Sequence, residues 1–170
     1  MNHSQQVPSR DQLLAKTGVL LIVDQITPPS GPVAKGVTPV VKARELALFI
    51  AVSDDGMVYA FNGHVDLGTG IRTALGQIVA DELDLAMDQV DMVLGDTGRV
   101  PNQGPTIASA SIQIHAVPLR KAAAQARAWL LAEAARQLDV PVESLTADGG
   151  QVRVAGDATR GVSYGQLLQG

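Results

Sequence analysis

Apolar and polar positions change their spacing several times along the chain, and each change marks an element. Met57-Val58-Tyr59-Ala60-Phe61 alternates and is rich in β-forming residues, which predicts a strand. Leu46–Ser53 is a second such run, and Asp54-Asp55-Gly56 between the two predicts a hairpin. From Ile71 the spacing becomes helical: Ile71, Leu75, Ile78, Val79 and Leu83 fall on one face of a helix over 70–84. Val90, Met92 and Leu94 alternate with polar residues, predicting a strand over 88–94. Leu119, Ala123, Ala126, Leu130, Ala134 and Leu138 form the stripe of a long, Ala-rich helix. Pro118 belongs in its first turn or at a break, and Val140-Pro141 ends it. Leu145–Ala147 and Gln151–Val154 flank Asp148-Gly149-Gly150 as a second hairpin, and Ser163 is placed to cap a short final helix. Strands and helices alternate without a parallel-sheet pattern. The predicted class is α+β: two hairpins, with a short and a long Ala-rich helix packed on the sheet.

Ahead of this body, residues 1–40 read as an arm and connector, with the body over 41–170. Residues 1–10 are polar, and Gln12–Val23 suits a short helix or an extended arm. Ile26–Pro39 carries Pro28-Pro29, Gly31-Pro32, Gly36 and Pro39, the composition of a structureless connector. At 170 residues the chain is long enough to bury about 70 per cent of its unfolded surface. Aromatic content of 3% makes the core aliphatic. A net charge of −4 and the lack of any Lys/Arg cluster argue against a nucleic-acid surface. The absence of cysteine excludes a disulfide and any thiolate metal site. No apolar run approaches the roughly 20 residues of a membrane span. Ser9-Arg10-Asp11 ahead of an apolar run is a faint form of a twin-arginine signal, but Asp11 replaces the second arginine and the run is short. The expected location is cytoplasmic, with the periplasm as the alternative.

Candidate chemistry collects in two glycine-rich segments. Gly63–Gly70 joins the predicted strand to the helix, where Thr69 is placed to cap it. The N–H groups of that helix start make an anion site, or the segment is a plain tight turn. Gly95–Ala108 is a second loop dense in Gly, Pro and Asn. His64, Asp66, Arg72, Asp96 and His115 are the candidate acid, base and oxyanion-holding groups. Each has a plainer role as well: Asp66 bonding N–H groups in the turn, Asp96 starting an Asx-turn before Gly98, the histidines on the surface. Histidines at 3, 64 and 115 have no metal-ligand spacing, so no metal site is expected. The acidic run from Asp81 to Asp88 reads as a solvated face, and Trp129 as packing.

The order GHVDLGTGIRTALGQIVADELDL, VDMVLGDTGRVPNQGPTIASASIQ, LRKAAAQARAWLLAEAARQLDVPVESL and GVSYGQLL, from about Leu46 to Leu168, resembles molybdopterin-binding subunits of the xanthine dehydrogenase/aldehyde oxidase family. The likeness is to its isoquinoline 1-oxidoreductase and nicotinate dehydrogenase branch. That resemblance implies a molybdopterin-binding-domain-like fold and a molybdopterin cofactor. It also implies that Gly68, Thr69 and Gly70 approach the pterin or phosphate, and that Thr106, Ala108 and Ser109 add backbone and hydroxyl contacts. Thr69 offers a hydroxyl where many members carry glutamine. Family members are far longer, and their glutamate base lies outside this segment. The resemblance therefore implies a subunit or fragment of a split molybdenum hydroxylase, whose partner chains bring the base, further cofactor contacts and iron–sulfur clusters. A molybdenum-independent hydrolase or isomerase, and a self-associating or partner-wrapping assembly module, are the alternatives. The expectation common to the site reading is that both glycine-lined bends face one crevice.

Overall fold

A computed structural model describes residues 8–27 and 43–169. The proposed connector at 26–39 lies almost wholly outside the described residues. The Gln12–Val23 region resolves into two elements: helix α1 (Arg10–Ala15), closed by a Ser9–Gln12 capping box, and strand β1 (Val19–Ile26). Strands β2 (Glu45–Ser53) and β3 (Val58–Asn62) make the expected antiparallel hairpin, to which β1 adds along the outer edge of β2.

Helix α2 (Ile71–Glu82) then crosses over to β4 (Val90–Leu94), and here the expected pairing is corrected. Strand β4 lies parallel to β3, with Val58 opposite Val90 and Asn62 opposite Leu94, in a sheet of order β1-β2-β3-β4. A 12-residue helix is long enough to return the chain to the starting edge, as a parallel pair requires. Alternation along β4 is the same for either direction, so the pattern alone does not decide it.

Every residue of β3 is buried because both sheet faces are covered. Val58 and Ala60 face a core built with Leu75 and Val79 of α2, Leu83 at its C-cap and the Ala-rich stripe of the long helix. Tyr59 and Phe61 face a smaller cluster with Leu13 of α1, Leu48 and Val93. Short α3 (Ala110–Gln113) precedes the long helix, α4 (Ala116–Leu138). Pro118 occupies its first turn, where a missing N–H leaves no bond unmade. Ala122, Ala123, Ala126 and Ala134 are buried on α4, and their small side chains let it lie close on the sheet.

Strands β5 (Leu145–Asp148) and β6 (Gln151–Val154) form the second hairpin. A third strand, β7 (Asp157–Ser163), completes a separate antiparallel sheet that the pattern did not announce. Ser163 caps α5 (Tyr164–Leu167) in a capping box with Gln166. Tyr164 is buried and donates its hydroxyl to Leu83 O at 2.9 Å, fastening the chain end to the end of α2. Among the described residues no helix is long and apolar enough to cross a membrane.

Candidate functional site

Parallel neighbours release their following loops from the same edge of a sheet, and that edge is where open α/β sheets build sites. Strands β3 and β4 end level, at Asn62 and Leu94, so both glycine-rich segments leave together. Gly63 has no room for a side chain, because a Cβ would stand 2.2 Å from Pro101 O. That contact brings the second loop against the first. Gly63 N–H donates to Gln103 Oε1 at 2.8 Å, and Val65 N–H to Thr106 Oγ1 at 3.0 Å. Asn62 and Gln103 both donate side-chain N–H groups to His115 O, each at 3.0 Å.

The two loops line one crevice of about 430 Å³. Leu67, Thr69, Ile71 and Ala74 form one wall; Thr106, Ile107, Ala108, Ser109, Ser111 and Ile112 form the other. No charged side chain is among them. Ala108 and Ser109 have φ of 56° and 54°, a left-handed pair that non-glycine residues seldom adopt. Strain of this kind, of order 1–3 kcal/mol per residue, clusters at ligand clamps. Among the described residues no acceptor meets the N–H groups of Ile107, Ala108 and Ser109. The second loop therefore offers main-chain donors to an incoming group.

The first loop spends most of its donors on its own carboxylate, which narrows the expected anion site. Asp66 Oδ1 accepts from the N–H groups of Gly68 and Thr69 at 2.9 Å and of Gly70 at 3.2 Å, and Oδ2 from Arg72 at 3.1 Å. The Arg72 amide, followed by those of Thr69, Gly68 and Gly70, holds this carboxyl below its usual range, against an opposing effect of burial. Thr69 does not cap the helix: Gly70 is the N-cap, with φ of 77°, and Thr69 Oγ1 instead donates to Asp66 at 3.4 Å. Of Gly68, Thr69 and Gly70 only Thr69 lines the crevice, and the N–H groups of all three are spent on Asp66.

The other candidates sit apart from the crevice. Arg72 donates its guanidinium to Met92 O, strapping α2 to β4. Asp96 makes the Asx-turn to Gly98 at 3.0 Å and pairs with Arg99 at 2.7 Å, and that arginine holds its carboxyl below the usual range. His64 is fully buried beneath the crevice, with Nδ1 2.6 Å from Ser111 Oγ and its ring centroid 4.2 Å from that of His115. Burial, and then His115, push His64 below its ordinary 6.5. Asn62 and Gln103, which join the loops, carry no site signal in the sequence, and Ser111 belongs to the 105–111 loop but bonds His64 rather than lying free. Each is a short polar residue whose importance comes from a partner between 40 and 53 positions away. Among the described residues no group of three His, Cys, Asp or Glu side chains is placed to hold a metal.

These residues suit the pterin side of a cofactor better than its metal. The crevice is apolar-walled and uncharged, with hydroxyls from Thr69, Thr106 and Ser109 and three unspent main-chain donors. Known proteins resemble this chain in sequence and in fold. A nicotinate dehydrogenase subunit of Pseudomonas putida is 75% identical over 170 residues, all of this chain and 14% of that protein. An isoquinoline 1-oxidoreductase subunit of Brevundimonas diminuta is 33% identical over 139 residues, 77% of this chain and 18% of that one. Among solved structures, CO dehydrogenase from Oligotropha carboxidovorans shares the fold with a TM-score of 0.63 and 24% identity, over 89% of this chain and 19% of that one. Quinoline 2-oxidoreductase from Pseudomonas putida 86 gives 0.61 and 22%, over 88% and 19%. The chain spans less than a fifth of the length of each of these proteins. Residues 18–169, from the first strand to the last helix, match the molybdopterin cofactor-binding domain, and the chain belongs to that family.

Proposed function

We propose that this chain supplies one wall-forming segment of a molybdenum hydroxylase, holding the pterin or phosphate portion of molybdopterin in the crevice between its two glycine-rich loops. The observation that carries the reading is the run of N–H groups without a protein acceptor at Ile107, Ala108 and Ser109, three residues that line an uncharged crevice with Thr69. Thr69, Thr106 and Ser109 would add hydroxyl contacts, while Leu67, Ile71, Ile107 and Ile112 give apolar walls that would exclude water once other segments cover them. A bond made where water is excluded is stronger than the same bond in solution. When bound, the cofactor supplies the redox chemistry by which such enzymes oxidise their substrates with oxygen from water. The 75% identity to a nicotinate dehydrogenase subunit favours an N-heterocyclic substrate.

Other segments of the assembly would bring the base and the remaining cofactor contacts. Both of the relatives compared by sequence are themselves subunits, which supports a multi-chain enzyme. Exposed Leu67, Ile107, Ile112, Ile114 and Val117 fit the seating of such segments around the crevice. A hydrolase or isomerase built on this chain alone is disfavoured, because none of His64, Asp66, Arg72 and Asp96 lines the crevice.

The test is pterin and molybdenum content of the assembled enzyme carrying Thr69→Val and Ser109→Ala together. Loss of two hydroxyl contacts should lower retained pterin on the order of tenfold. Full pterin content in the doubly substituted enzyme would contradict the assignment.

A further inference from the structure

His64 neither lines the crevice nor is spent on its own loop. Its side chain is reached from two directions. Ser111 Oγ lies 2.6 Å from Nδ1, and the His115 ring lies against it with centroids 4.2 Å apart at 40°. Nε2 is buried and meets no hydrogen-bonding partner among the described residues. Around this imidazole, Asn62 spans His64 N–H and His115 O, and Gln103 spans Gly63 N–H and the same carbonyl. The two amides do not titrate. The imidazole does.

We propose that His64 is a pH-sensitive positioning residue, which locks the first crevice loop to Ser111 and His115 while neutral and releases it when protonated. It deepens the cofactor reading, since the loops it joins are the crevice walls.

A neutral imidazole presents one acceptor and one donor, so Nδ1 takes the Ser111 hydroxyl proton or gives its own. Protonation makes both nitrogens donors. It puts a charge in a fully buried site and leaves a buried N–H without a hydrogen-bonding partner. Only the Gln103 main chain favours the charged ring, and burial and His115 outweigh it. Ala110–Gln113 and the 101–106 segment bring no ionisable side chain, and the start of α4 brings only His115. On its own loop, the Asp66 carboxyl is turned to the amides of Gly68 to Arg72. The lowered affinity of His64 for protons fits this geometry.

The experiment is residue-resolved amide exchange at Gly63 and Val65, whose N–H groups bridge the loops, in the full chain without cofactor. Protection is normalised to intrinsic rates over a series from about pH 7.5 down to about pH 4.5, because burial holds His64 below ordinary histidine titration. Wild-type protection should fall about tenfold on acidification, the factor that one net hydrogen bond contributes. His64→Asn places an amide near the Nδ1 position, so it should keep protection across the series and lose the step. Ser111→Ala should show the reduced protection throughout. Wild-type protection that does not change with pH, or Ser111→Ala behaving as wild type, would overturn the proposal. If His64→Asn does not fold, the other two proteins decide. Because exchange is read without cofactor, a failed latch is distinguishable from failed pterin binding.

Discussion

A single carboxylate decides what the first glycine-rich loop can do. Asp66 gathers four main-chain N–H groups between Gly68 and Arg72 and so takes up most of the donors that an outside anion would otherwise use. Its carboxyl is held below its ordinary 3.8 in the folded chain, so its contribution to stability is present above that value. It is lost as pH falls through the lower, folded value. Asp66→Ala should therefore lower Tm by a few degrees at neutral pH, with the gap to wild type closing in acid. A thermal-melt series against pH reads both effects; a gap that persists in strong acid would show that the carboxylate charge is irrelevant. Gly63 makes a second residue-scale claim. A methyl there would stand 2.2 Å from Pro101 O, so Gly63→Ala must push the two loops apart and should cost about 2–3 kcal/mol in denaturant unfolding.

At the scale of elements, α4 shows why small residues can matter as much as large ones. Ala126 is fully buried against the sheet, and Ala126→Leu should overpack the interface by about 1–3 kcal/mol. Leu130→Ala, one turn on, should instead leave a cavity and cost about 2–5 kcal/mol. Urea unfolding of both variants checks the pair, and equal tolerance of both would mean that α4 is not seated as described. Periods of 3.6 and 2 made α2, α4 and the two hairpins legible in the sequence, together with the Ser163 cap. Two features escaped. The parallel run of β4 beside β3 has the same alternation as an antiparallel one. The exposed, polar stretch of β7 carries no strand pattern, since its pairing depends on β6 rather than on burial.

For the whole molecule, the parallel pairing is what creates the crevice. Two loops leaving adjacent strand ends must meet, and Gln103, Thr106 and Ser111 then bond across the gap. The meeting of the loops was legible in the family likeness of the motifs, whereas the division of labour between them was not. Sequence treats both as donors to a ligand, but only the folded structure shows that Asp66 consumes one set and that Ala108 and Ser109, in left-handed conformation, free the other. The decisive measurement is amide hydrogen exchange in the assembled enzyme with and without molybdopterin. Ile107, Ala108 and Ser109 should gain protection on cofactor loading, while Gly68, Thr69 and Gly70 stay as they were. Protection that arises at Gly68 to Gly70 and leaves 107–109 unchanged would contradict the account.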